Sequence, residues 1–240
     1  MNLLVPITDP NHIPRLLQCW NNLEFYAGFS LPGWRKTFGP YEDLNRMSSF
    51  RQSANLDGMQ SIPQLVANAQ GHEVFITLNA GIYSTAQMDF LKDVLNQLKD
   101  MHVSGVILGD PHLAPTVRKI GLKAVASTIT GIYNEDIARY CVDQGFQRLI
   151  LPRDLTLKEI REITAAVPEV EYECFLMRNG CRYSDSNCLA RHSDQYGALC
   201  SFLDRAKSIY CGEAETSFAA HDAAVFNRIV FSQAFHKSAC

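Results

Sequence analysis

The sequence predicts an α/β fold, a TIM-like (β/α) barrel, complete or incomplete, with a cysteine-bearing C-terminal segment. Three observations carry that expectation. Short apolar runs such as "GVILGD" and "RLILP" are continuous rather than alternating, as in parallel strands covered on both faces. Stretches of helical period lie between them, which is the spacing of βαβ units. Seven strand candidates fall within the first 176 residues, too many for a five-stranded open sheet.

In chain order the strand candidates are 2–7, 23–29, 73–79, 105–110, 123–128, 148–152 and 170–176. The segment 84–101 reads as a helix. Ser84 is its N-cap, and Met88, Phe90, Leu91, Val94, Leu95 and Leu98 form its apolar stripe. The segment 134–145 opens on Asn134 and closes on Gly145, and 156–167 opens with a capping box of Thr156 and Glu159. Residues 30–60 form the longest stretch without a period. Trp34, Phe38 and Tyr41 predict that it is ordered, over the C-terminal rim of the barrel. No glycine fingerprint follows the first strand, which argues against a dinucleotide-binding domain.

At 240 residues and 26.9 kDa, one domain spanning 1–240 is the expectation, with a cysteine-rich segment at 173–240. A formal net charge of −3 gives no general attraction for nucleic acid, although a local basic patch for RNA is compatible with it. The N-terminus lacks a signal-peptide pattern, and no apolar run reaches the roughly 18 residues of a membrane span. The expected location is cytoplasmic, where thiols stay reduced.

The chain has eight cysteines, four of them within 174–200. Cys19 and Cys141 lie in apolar helical patterns and Cys174 in the last strand candidate, so all three read as packed thiols. Cys181, Cys188, Cys200, Cys211 and Cys240 lie in polar, turn-rich sequence. No C-x₂-C chelate is present, but Cys181, Cys188, His192 and Cys200 make a conceivable zinc set. An iron–sulfur cluster tolerates wider spacing. Spacing alone leaves cluster, zinc and no metal open.

The stretches "GHEVFITLN", "GVILGDPHLAPTVRKIGLKAVAST", "GFQRLILPRDLTLKEIREI" and "EYECFLMRNGCRYSDSNC" resemble peptidase family U32 over about residues 2–200. The most specific element is Glu173 and Phe175 followed by Cys181 and Cys188, an E-x-F-x₅-C-x₆-C spacing. Arg153, Asn134 and Asp110 also fall on family positions. The resemblance implies a TIM-like barrel carrying a [4Fe–4S] cluster. It further implies oxygen-independent hydroxylation of transfer or ribosomal RNA bases or of an aromatic quinone precursor, in some members with prephenate as a carboxylate co-substrate.

Carried over residue by residue, the cluster ligands are Cys181, Cys188, Cys200 and Cys240, with Cys211 as the alternative fourth. Zinc is the alternative metal. The sequence departs from the family at Met177–Gly180, at Ile129 and at Asp154, positions that bear on substrate rather than on fold.

Chemistry in such barrels sits at the C-terminal ends of the strands. Arg153, Asp110 and Glu173 are the candidate catalytic residues, and Arg153 with Arg178 would suit a carboxylate. Each also has a plainer reading. Arg153 could pair with Asp154 or Glu173, Asp110 could cap the following helix, and His112 could be a solvated loop residue. The function expected is oxygen-independent hydroxylation of an aromatic or nucleobase substrate. One alternative is a non-catalytic subunit paired with a second U32 chain, for which the helix candidate 217–235 could cover an open sheet edge. The other is a peptidase-type hydrolase, although no G-x-S-x-G or H-E-x-x-H motif occurs.

Overall fold

Seven parallel strands pair in strict sequence order, β1(Leu3–Pro6), β2(Leu23–Ala27), β3(Val74–Leu78), β4(Gly105–Leu108), β5(Lys123–Ala126), β6(Arg148–Ile150) and β7(Glu171–Glu173). Each neighbouring pair is parallel, with registers such as Phe75↔Gly105 and Arg148↔Glu171. The computed structural model describes residues 2–39, 44–46, 55–176, Ser186, and the backbone of 192–193 and 197–198. The chain divides into two units, 1–188 and 189–240. Among the described residues the second unit holds one short antiparallel pair, His192–Ser193 with Gly197–Ala198.

The helices are α1(Ile13–Cys19), α2(Pro32–Phe38), α3(Ile62–Asn68), α4(Thr85–Asp100), α5(Ala114–Ile120), α6(Glu135–Asp143) and α7(Leu157–Ala166). The caps read from sequence form as expected. Ser84 and Thr156 each close a capping box, with Gln87 and Glu159 respectively. The Asn134 side chain accepts from the Ile137 amide. In α4, Leu91, Val94, Leu95 and Leu98 are buried, each contributing about 1.5–3 kcal/mol relative to exposure.

Strand parity separates two apolar layers. Val74, Ile76, Val106, Leu108, Ala124 and Leu149 belong to the large core under the helices. Phe75, Ile107, Val125 and Ile150 form a small separate cluster on the other face, with Leu4 and Tyr26 against it. Arg148 on β6 reaches Glu24 on β2 at 2.5 Å, so the sheet is curled enough to bring residues four strands apart into contact. The fold is therefore an incomplete barrel, with no β1–β7 pairing among the described residues.

Residues 30–60 contain a helix that periodicity did not reveal. Helix α2 is only seven residues long, starts at Pro32, and is held by a single buried aromatic, Trp34. That ring packs on Phe38 at 4.7 Å, Tyr83 at 5.8 Å and Phe90 at 5.9 Å. Two turns are too few to print a stripe. Tyr41 lies outside the described residues, as does the 217–235 helix candidate.

Two of the three expected packed thiols are not packed. Cys141 is buried, and burial pushes its thiol up to about 12. Cys19 is exposed, because it is the last residue of α1 and lies off the buried side. Cys174 is exposed because β7 ends at Glu173, short of the 170–176 span.

Candidate active site at the C-terminal ends of the strands

The concave face of the sheet has two ends with different chemistry. At the N-terminal ends of the strands, five charged residues form one network. Arg148 donates through Nη1 and Nη2 to the Glu24 carboxylate at 2.5 and 3.2 Å, and through Nε to Glu171 at 3.0 Å. Lys123 bonds Glu171 at 2.8 Å, and Glu73 lies 3.5 Å from Arg148 and 3.8 Å from Lys123. Asn2 donates to Glu24 at 2.7 Å.

Burial alone would raise the carboxyls of Glu24 and Glu171. Hydrogen bonds to Arg148 and Asn2 for the first, and to Lys123 and Arg148 for the second, outweigh it and hold both below the ordinary 4.5. Burial likewise works against the charge of Arg148, but its bonds to Glu24 and Glu171 lift its pKa above the usual value. This end is electrostatically satisfied and holds its charges fixed.

Glu173 sits further along β7, two residues from Glu171 and so on the same face. Its Oε2 is buried, has no hydrogen bond among the described residues, and lies 3.8 Å from Arg148 Nη1. Arg148 is already committed to Glu24 and Glu171. Burial therefore dominates and pushes the Glu173 carboxyl up to about 7, against the pull of Arg148 and with a push from Glu24. Near neutrality this side chain can hold or release a proton, as a general acid or base must.

Around it stand the other strand-end groups. The Tyr26 hydroxyl is raised by burial and by the charge of Glu173, and lowered by Arg153, so the three share one electrostatic neighbourhood. The Arg153 guanidinium lies 4.5 Å from the centroid of Phe175. Tyr133 donates to Asp154 at 3.0 Å. Asn79 accepts from the Arg46 amide at 3.0 Å and reaches Ser127 at 3.5 Å. Beneath them Gly28 is packed so closely that a Cβ would overlap Asn55 Oδ1 and come within 3.1 Å of Thr77 Oγ1.

Of the three candidate catalytic residues, Glu173 and Arg153 both act electrostatically on Tyr26 and Asp110 is engaged elsewhere. Its carboxylate accepts from the Tyr83 amide at 3.0 Å and from the His112 amide and ring at 3.0 and 2.9 Å. It is buried and serves as the N-cap of the 3₁₀ turn Pro111–Leu113. The His112 side chain is exposed beside it. Cys181, Cys188, Cys200, Cys211, Cys240 and Arg178, together with the side chain of His192, lie outside the described residues. Ser186, between the first two cysteines, packs on Gly131, where a Cβ would come within 2.9 Å of it. Gly131 follows β5, so Ser186 lies at the C-terminal end of the sheet.

Two features went unread in the sequence. The Glu24–Arg148 pair has a signal in hindsight, since each is a charge inside an otherwise apolar strand run, at inward parity. The Arg153–Phe175 contact joins residues 22 apart that lie just past the ends of the paired strands β6 and β7, so it becomes visible only once that pairing and its register are known.

The model of peptidase family U32 matches residues 42–199. The tRNA hydroxylation protein P1 of Bacillus subtilis is 30% identical over 129 residues, covering 52% of this chain and 30% of that protein. The tRNA hydroxylation proteins P of Haemophilus influenzae and Escherichia coli are each 29% identical over 129 residues, covering 51% of this chain and 27% of those proteins. The chain thus spans less than a third of the length of these relatives. Among solved structures, the U32 peptidase Mk0906 superposes with a TM-score of 0.54 at 15% identity, over 72% of this chain and 68% of that one, a likeness of fold.

Proposed function

The chain belongs to peptidase family U32, and on that premise we propose that it takes part in the oxygen-independent hydroxylation of a tRNA base. One observation carries the reading: relatives sharing 29–30% identity over 129 residues are tRNA hydroxylation proteins. The arrangement at the strand ends supports it. Glu173 offers a proton-exchanging carboxyl near neutral pH, Tyr26 a hydroxyl beside it, and Arg153 a fixed cation on the same side. A peptidase reading has less behind it. The described residues place Asp110 in a structural cap, and the sequence carries no hydrolase motif.

A [4Fe–4S] cluster is part of the proposal. The donor chemistry fits, because the segment after β7 supplies Cys181, Cys188 and Cys200 with Cys240 or Cys211 as the fourth thiolate, the ligand type such a cluster takes. The three described cysteines, Cys19, Cys141 and Cys174, are not in that set. When bound, the cluster supplies one-electron chemistry. Arg153 and Tyr26 would bind and orient the substrate, and Glu173 would hold the proton.

Two measurements test this. Anaerobic purification should yield a brown protein with about four irons and four sulfides per chain. Mass spectrometry of tRNA nucleosides from a strain lacking the chain should show a hydroxylated base lost, restored by the parent gene and not by Cys181→Ser or Glu173→Gln. An unchanged nucleoside profile would remove the tRNA reading, and an iron-free protein would remove the cluster.

A further inference from the structure

We infer that Glu24 is the positioning residue for the Glu173 proton: by occupying both terminal nitrogens of Arg148, it keeps that guanidinium from hydrogen-bonding Glu173. The inference rests on the reading above, in which Glu173 holds a proton for the reaction, and names what keeps the proton there.

The geometry at Arg148 is a competition for donors. A guanidinium has five N–H donors in a fixed fork, and one carboxylate can take two of them side by side. Glu24 holds that position, accepting from Nη1 and Nη2 with its two oxygens, while Nε donates to Glu171. Glu73 Oε2 stands 3.5 Å from Nη2. Glu173 Oε2 faces Nη1 at 3.8 Å, inside the range of an ion pair and outside that of a hydrogen bond. Asn2 keeps Glu24 in place, donating to its Oε1 at 2.7 Å.

The charges point the same way. Glu24, Glu73 and Glu171 already set three carboxylates around two cations, Arg148 and Lys123. The Glu173 Oε2 is buried without a hydrogen bond, so ionising it would add negative charge where the cations are already outnumbered. Burial raises the carboxyl to about 7, with Arg148 pulling it down and Glu24 pushing it up. The other titratable neighbours are Tyr26, which burial and Glu173 raise and Arg153 lowers, and Cys174, which burial and Glu173 raise.

The arrangement also says where the proton sits. Oε2 is the oxygen turned to Arg148, so the proton belongs on Oε1, away from the cation. Protonated, Glu173 can donate a hydrogen bond to an acceptor atom of a substrate; ionised, it can only accept one. Glu24 thus acts on the rim through Arg148, from the opposite end of the strands.

The test is a pH titration of the full chain, purified without oxygen, by infrared spectroscopy of protonated carboxyls. Glu173→Gln identifies the part of the band that belongs to Glu173, which should titrate near 7 in the parent. Glu24→Gln keeps the size of the side chain and removes its charge. Arg148 should then turn to Glu173 and lower its midpoint by about 1–2 pH units. At neutral pH the protonated fraction would drop about 5- to 50-fold. Glu171→Gln frees only Nε and should move the midpoint far less. Glu24→Asp keeps a charge beside Arg148 but is too short to hold both terminal nitrogens. It guards the test against loss of fold, and its midpoint should fall by a smaller amount than that of Glu24→Gln.

A midpoint unmoved in whichever of the two Glu24 variants folds would overturn the inference. So would a parent midpoint at the ordinary 4.5, which would show Arg148 serving both carboxylates. An equal fall in Glu171→Gln would overturn it as well, making the effect one of net charge and not of which donors are occupied. The expected falls, in a protein whose loss leaves tRNA nucleosides unchanged, would uphold the inference and remove the tRNA reading.

Discussion

Arg148 and Arg153 each lie over a phenylalanine on the same curled sheet, at 5.0 Å from Phe75 and 4.5 Å from Phe175, yet their surroundings are opposite. Arg148 is buried at the N-terminal end of the strands, with Glu24 and Glu171 hydrogen-bonded to it and Glu73 close by. Arg153 lies at the C-terminal end beside an exposed ring, in the neighbourhood of a carboxyl, Glu173, that Arg148 cannot fully serve. One end uses its charges up in holding the strands together. The other keeps a carboxyl that can change its protonation near neutrality. A barrel with this division has a paired floor and a rim with a carboxyl raised toward neutrality, and substitutions should separate the two.

The largest effect belongs to the floor. Arg148→Met leaves the Glu24 carboxylate buried without its main partner and should cost about 3–5 kcal/mol in urea unfolding. The double variant Arg148→Met with Glu24→Leu should regain most of that loss, because no unpaired charge remains. If the single variant cost under about 1 kcal/mol, the floor would be no more than a surface ion pair, and the contrast with the rim would fail.

Next comes the pH dependence of Glu173. Its carboxyl stands at about 7 in the folded chain against an ordinary 4.5, so the folded state binds this proton more tightly than the unfolded one. Its contribution to stability is fully present below about pH 4.5 and is lost as pH rises through about 7. Glu24 and Glu171 have the opposite sign, since their lowered values stabilise the fold above 4.5 and are lost as pH falls below it. Stability should therefore peak in mildly acidic solution. Glu173→Gln should gain on the order of 1–3 kcal/mol at pH 8 and flatten the alkaline limb. A fall in melting temperature on that substitution at pH 8 would mean Glu173 is ionised and paired in the fold.

Smallest of the three is Arg153→Ala, which should change stability by no more than about 1 kcal/mol, as for an exposed cation–π contact. It should nonetheless abolish most hydroxylated nucleoside in a complemented strain. A stability loss comparable to that of Arg148→Met would make Arg153 a second structural residue and erase the distinction between the ends.

The rim was more legible in the sequence than the floor, whose Glu24–Arg148 pair the sequence did not reveal. Glu173 and Arg153 were reached through the E-x-F and L-P-R patterns at strand ends. Asp110 was reached by the same logic, and its carboxylate proved to be bound up in a cap by Tyr83 and His112. A strand-end acid before proline writes the same local sequence whether it caps or reacts, and only its hydrogen-bond partners distinguish the two. Cys19 and Cys174 show a related limit. Apolar neighbours set the element, but a residue at its last position can face either way.

The strands, their parallel pairing and the capped helices α4, α6 and α7 were legible in the sequence itself, because continuous apolar runs and capped amphipathic stripes are local signals that each segment carries alone. The ends of the strands, the joining of Arg148 to Glu24, and the raised carboxyl of Glu173 were decided only by the tertiary structure. Each depends on how far the sheet curls, and curl is a property of seven strands together. A carboxyl is shifted by what surrounds it in space, and those partners come from residues up to 124 positions apart along the chain.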